Sequence, residues 1–175
     1  SDHLPKTEKY IPKQRLWYIR AKEVIISSGS IERPLVFGNN DTPGVMLSSA
    51  AKEYLKIYGV LVGKKPLVFT NNDSGYETAI EFKKNGIDPI VLDTRKDPSS
   101  EIIQEAKGLN INIKTSYVVV AAKGYKKVNS ADIAKISDDK KNISSIENIK
   151  CDCICVSGFW TPTIHLASQS GNKTK

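Results

Sequence analysis

The apolar positions along the chain follow two different periods. Leu47, Ala50, Ala51, Tyr54, Leu55 and Tyr58 recur at the three- and four-residue spacing of one buried helical face, and Gly59 can supply the left-handed residue that stops the helix. Shorter apolar runs bounded by polar turns read as strands at 67–69, 90–93 and 110–113. Between the first two, 74–84 has a helical pattern, so 67–93 predicts a βαβ unit. Ser74 and Glu77 have the spacing of a capping box, and Gly86 closes that helix. Asp97-Pro98 opens a further short helix through Ala106, ended by Gly108.

After residue 116 the pattern changes: 117–122, 126–128, 131–136 and 145–149 read as strands separated by turns, which suits an antiparallel meander. A buried strand at 151–156 ends in Ser157-Gly158 and is followed by a turn and a short helix near 163–169. Towards the other end, 15–19 and 23–27 form a predicted hairpin, 31–43 reads as a loop, and the polar, proline-bearing stretch 1–14 reads as an arm. The fold class expected is α/β: a Rossmann-like parallel sheet with flanking helices plus an antiparallel β-meander. Three segments follow: an arm and hairpin at 1–29, the Rossmann-like domain with its meander at 30–150, and a returning strand, helix and tail at 151–175.

Composition narrows the function more than it names it. Hydrophobic content of 39% and charged content of 26% belong to a folded globular chain. The net charge of +7 raises the question of nucleic acid, but only Arg15, Arg20, Arg33 and Arg95 are arginines and the lysines lie among acids and amides, which reads as a solvated surface. The longest apolar run, 118–122, is too short to span a bilayer and no signal-peptide pattern opens the sequence, so a cytoplasmic protein is expected. Cys151, Cys153 and Cys155 alternate as residues of one strand face; without a second cluster of ligands they read as buried thiols rather than a metal site. His3 and His165 are the only histidines and there is no G-x-S-x-G turn, which argues against a hydrolase. Trp17 and Trp160 read as packing residues.

The βαβ unit has the layout of a dinucleotide fold, with a strand, a polar turn, a helix and Asp93 at the end of the next strand. Where that fold carries G-x-G-x-x-G, the chain has Thr70-Asn71-Asn72-Asp73-Ser74-Gly75 and keeps only the third glycine. One reading is an inherited fold with an emptied site. The other is an NAD-binding module that uses Asn71, Gly75 and Asp93, with Arg95 and Lys96 near a phosphate.

Two segments resemble ligand loops of the flavin disulfide-reductase architecture: Ala21 to Gly29 (AKEVIISSG) and Cys151 to Leu166 (CDCICVSGFWTPTIHL). Between and after them, Ser30 to Phe37 (SIERPLVF), Asn39-Asn40-Asp41, Pro43 to Leu47 (PGVML), Val68 to Ser74 (VFTNNDS), Ser157-Gly158, Pro162-Thr163, His165-Leu166 and Ser168 to Gly171 (SQSG) resemble the sarcosine oxidase alpha-subunit family. The resemblance covers nearly the whole chain. It implies a second nucleotide-domain-like part of a larger subunit, with NAD at a first domain whose glycine-rich loop lies upstream. It also implies a folate-binding domain downstream that takes up the one-carbon unit on tetrahydrofolate, and a flavin in a partner subunit. Ser28, Gly29, Ser157, Gly158, Thr161 and Thr163 would then lie near the first-domain nucleotide. The partners implied are the other subunits and the missing domains, with no nucleic acid and no membrane, and the 175-residue chain is expected not to catalyse by itself.

Overall fold

The computed structural model describes residues 14–139, 141–169 and 171. The chain divides into two compact units, Gly29–Thr163 and the residues flanking it. In the larger unit the chain runs through β1 (Ser30–Arg33), β2 (Val45–Leu47), α1 (Ser48–Tyr58), β3 (Pro66–Thr70), α2 (Ser74–Lys84), β4 (Ile90–Asp93), α3 (Glu101–Gly108) and β5 (Asn112–Thr115). It continues through β6 (Tyr117–Lys123), β7 (Ser130–Lys135), β8 (Glu147–Lys150), β9 (Cys153–Ser157) and β10 (Phe159–Pro162). A parallel sheet has the order β2-β9-β3-β4-β5, an antiparallel sheet the order β6-β7-β8, and β1 pairs with β10 as a separate antiparallel ribbon.

The central strands β3, β4 and β9 are buried on both faces, and alternation sorts their side chains into two cores. Val68, Val91, Cys153 and Cys155 pack with Ala51, Leu55, Tyr76, Ala79, Phe82, Ile103 and Ala106 of the three helices. Leu67, Phe69, Leu92, Ile154 and Val156 point the other way, into a core completed by Val119, Ala122, Ala131 and Ile133 of the antiparallel sheet. Full burial of a side chain such as Leu67, Leu92 or Ile154 contributes about 1.5–3 kcal/mol. The result is three layers, helices on sheet on sheet, with α2 starting where β3 ends. Among the described residues no helix is long and apolar enough to cross a membrane.

The α/β class stands as expected, and so do α1 with Gly59 at φ 64° and the βαβ unit of β3, α2 and β4. The α1 stripe is wider than the face it buries: Ala51 and Leu55 are buried, while Tyr54 and Tyr58 stay largely in solvent. The capping box does not form. Ser74 is the first residue of α2, its N–H donates to Asn72 Oδ1 at 2.9 Å, and Glu77 pairs instead with Lys52 at 2.5 Å. The loop expected at 31–43 contributes β1, and β10 precedes the last helix, because each strand finds its partner more than a hundred residues away. The strand expected at 126–128 is a turn; Val128 is buried there, and its N–H donates to Pro43 O at 2.9 Å.

Cys151 is not on the face of the other two cysteines. A bend at Asp152 separates it from β9, so Cys151 joins the core under the antiparallel sheet while Cys153 and Cys155 face the helices. All three thiols are free, with Cys153 and Cys155 sulfurs 3.6 Å apart. β9 lies between β2 and β3, so the larger unit runs past residue 150, where the sequence reading sets a border.

Of the smaller unit, 14–28 have no regular secondary structure, and α4 (His165–Gln169) is a short helix. The hairpin expected at 15–27 is absent there. An isolated two-stranded hairpin is marginal in water, and Leu16, Trp17, Tyr18, Val24 and Ile25 are each more than two-thirds exposed. The arm expected at 1–14, with His3, falls outside the described residues except for Gln14.

Candidate functional site

In a parallel sheet flanked by helices, ligands bind beyond the carboxyl ends of the strands, where helix N-termini present unpaired N–H groups. Here that place is the junction of β3, β9 and the start of α2. Thr70 and Ser157 are adjacent in the sheet, and Asn71 N–H donates to Ser157 O at 3.3 Å. Gly75 sits against Thr70: a Cβ at this position would lie 2.6 Å from Thr70 Cβ, so glycine is required for α2 to approach β3. That is the role of the third glycine in the dinucleotide pattern.

The space in front of α2 is taken by the protein's own groups. Asn72 Oδ1 accepts from Ser74 N–H at 2.9 Å and from Ser74 Oγ at 2.5 Å. The Asn72 amide nitrogen donates to Gly158 O at 2.8 Å. Ser74 Oγ also lies 2.8 Å from Ser157 Oγ and accepts from the Trp160 indole N–H at 3.2 Å. The side chain where the second glycine would be is thus the hub of a closed polar network. Trp160, read from sequence as a packing residue, is 43% exposed and is a hydrogen-bond donor to that network.

Asp93 is fully buried and its carboxylate is engaged by two neighbours. Tyr76 Oη donates to Oδ2 at 2.8 Å; Arg95 donates its backbone N–H to Oδ1 at 2.8 Å and its Nη2 to Oδ2 at 2.8 Å. Arg95 Nη1 is also 2.8 Å from Asp73. Burial, with Asp93 beside it, holds the Tyr76 hydroxyl far above the ordinary phenol range. Burial opposes the charge on Arg95, but the contacts with Asp93 and Asp73 outweigh it and raise its pKa. Asp73, a like charge to any phosphate, stands at the start of α2 paired with Arg95. Beside this cluster a groove of about 700 Å³ is lined by Tyr76, Lys96, Ser99, Lys107 and Thr115 among others.

The structure therefore brings Asn71, Gly75, Asp93, Ser157 and Gly158 to one end of the sheet. Gly29 and Thr163 meet elsewhere, at the open end of the ribbon, where Thr163 N–H donates to Gly29 O at 2.9 Å; Thr161 Oγ accepts from Arg33 Nε at 3.2 Å. Ser28 belongs to the smaller unit. The sequence reading missed Tyr76, Ser74 and Trp160 as partners in the cluster. Only the i to i+2 Asn-x-Ser spacing after a strand signals part of it, as an Asx turn. Among the described residues no group of three potential metal ligands comes together.

No family model matches the chain. In fold it is similar to thioredoxin reductase of T. acidophilum, with a TM-score of 0.63 and 16% identity over 84% of this chain and 47% of that one. The ferredoxin reductase of Rhodopseudomonas palustris gives 0.59 and 16%, over 85% and 37%. In sequence it is 34% identical over 172 residues to sarcosine oxidase subunit alpha of Rhizobium meliloti (strain 1021), and 33% over 165 residues to that of Corynebacterium sp. (strain P-1). Those alignments take in 98% and 93% of this chain but 16% and 17% of the relatives, so the chain spans about one-sixth of their length. A nucleotide-domain fold of the flavin-reductase kind and a sequence match along nearly its whole length make the chain a homologue of one region of the sarcosine oxidase alpha subunit.

Proposed function

We propose that the Gly29–Thr163 unit is a structural domain of a sarcosine oxidase alpha-like subunit, a Rossmann-like fold that keeps its shape and does not use its nucleotide site. The observation that carries this reading is Asn72, whose amide fills the space in front of α2 and bonds Ser74 and Gly158. A pyrophosphate there would have to displace those bonds and approach Asp73. A ribose would have to compete with Tyr76 and Arg95 for Asp93.

On the same reading, the complete subunit belongs to a complex that oxidatively demethylates sarcosine and passes the one-carbon unit to tetrahydrofolate. NAD would be bound at a neighbouring domain and flavin in a partner subunit. Ser28, Gly29, Ser157, Gly158, Thr161 and Thr163 are proposed as contributors at the edge of that NAD. These roles rest on the family resemblance and on the relatives' name.

A second reading, an NAD-binding module through Asn71, Gly75 and Asp93, is favoured by the groove beside Tyr76 with its two lysines, Lys96 and Lys107. Titration of the protein with NAD, NADH, NADP and FAD, followed through backbone amide shifts, separates the two. The structural reading expects no saturable shifts at 71–75 or 93–107. Saturable NAD shifts there, abolished by Lys107→Ala, would overturn it in favour of the module.

A further inference from the structure

The β1–β10 ribbon has two faces. Glu32 and Trp160 are cross-strand partners, so their side chains leave the ribbon on the same side. Ile31, Arg33, Phe159 and Thr161 occupy the other side, where Ile31 and Phe159 are more than half exposed. The inward pair reaches two different helices. Glu32 Oε2 accepts from Ser49 N–H at 3.0 Å and from Ser49 Oγ at 2.5 Å, at the first turn of α1. Trp160 Nε1–H donates to Ser74 Oγ, the first residue of α2.

The two contacts differ in kind: Glu32 supplies an acceptor that α1 otherwise lacks, whereas Trp160 ties the ribbon to the hydroxyl of Ser74, whose N–H is already capped by Asn72. α1 begins after Leu47 and α2 after Asp73, and neither residue gives a side-chain cap. A carboxylate at the start of α1 satisfies an orphan N–H and meets the positive end of the helix dipole. Glu32 is only 4% exposed although it lies on a two-stranded ribbon, which places it against the body of the unit rather than in solvent.

We propose that Glu32 and Trp160 are a pair of pins that clamp the β1–β10 ribbon onto the starts of α1 and α2, so that the ribbon moves with the three-layer body instead of hinging on it. The chain enters the Gly29–Thr163 unit through β1 and leaves it through β10. The clamp therefore makes both crossing points part of one rigid piece. In a larger subunit this converts the ribbon from a swivel into a fixed mount. The network in front of α2 then has a use of its own: the groups that would greet a phosphate anchor the mount.

Amide hydrogen exchange on the whole chain tests this without any nucleotide. In Glu32→Ala/Trp160→Phe, amides of β1 and β10 are expected to exchange at least about tenfold faster, the order of change that loss of a helix cap or a charged hydrogen bond produces locally, while β3 and β4 amides keep their rates. Ser49→Ala, which removes one bond and leaves both pins in place, gives a smaller change confined to β1 and the start of α1. Unchanged ribbon rates in the double variant overturn the proposal. So does acceleration by one common factor across β1, β10, β3 and β4, since that reports loss of global stability rather than release of a clamp.

Discussion

At the scale of single residues, Gly75 and the cysteines show how little room the interior leaves. A methyl on Gly75 would press on Thr70 Cβ and Oγ, backbone-proximal atoms that cannot swing aside. Gly75→Ala is expected to cost about 1–3 kcal/mol, read as a lower urea midpoint at unchanged slope. Burial pushes the Cys151 thiol up to about 12, and contact with Cys153, together with burial, raises Cys155 well above the usual thiol range. Because all three sulfurs are buried away from solvent, none of the three cysteines should react with a disulfide reagent at pH 8 in the native protein, and all three should react in guanidinium. A fast-reacting thiol in the folded protein would contradict that expectation.

Elements are held in place by short polar ties where hydrophobic pattern alone does not fix their ends. Asp152, at the bend before β9, accepts from Lys64 N–H and Lys65 N–H at 2.8 Å each and so sets the approach to β3. Gly63 lies close enough that a Cβ would fall 2.6 Å from Asp152 Oδ1. Asp152→Ala frees two N–H groups that are near the surface and can turn to water, so a loss of about 1–2 kcal/mol is expected from thermal or urea unfolding. Asp152→Asn keeps one acceptor and should recover part of it. The same logic explains the capping-box error: Ser74 and Glu77 have the right spacing, but Asn72 reaches Ser74 N–H first and Lys52 of α1 draws Glu77 away.

For the whole molecule, the buried neutral groups give stability a pH dependence of definite sign. Cys151, Cys155 and Tyr76 hold their protons in the folded state beyond the values of 9.0 and 10.0 at which they ionise when exposed. The native state therefore binds more protons than the unfolded chain in the alkaline range. Stability from this source is fully present below about pH 9 and declines as pH rises toward 12, by up to about 1.4 kcal/mol per pH unit for each group. Urea unfolding at pH 7, 9 and 10.5 checks it: similar midpoints at the first two and a clear fall at the third are expected. A midpoint that rises with pH would show that other groups govern the alkaline limb.

The sequence by itself determined whatever depends on neighbours within about a dozen residues. The α1 stripe and Gly59, the βαβ unit, the helical and strand periods and the loss of two glycines before α2 were all legible, because helix faces, turns and strand alternation are local properties of the chain. The family resemblance was carried by ordered local stretches for the same reason. The tertiary structure decided everything that needs two distant segments to meet. It inserted β9 between β2 and β3 and paired β1 with β10 across more than a hundred residues; neither strand of that ribbon has an apolar pattern strong enough to announce itself. It turned Cys151 away from its neighbours through one bend, and it left 15–27 without the hairpin that its apolar residues suggested. It also closed the space before α2, since Asn72, Ser74, Ser157 and Trp160 share a hydrogen-bond network only once β9, β10 and α2 are stacked together.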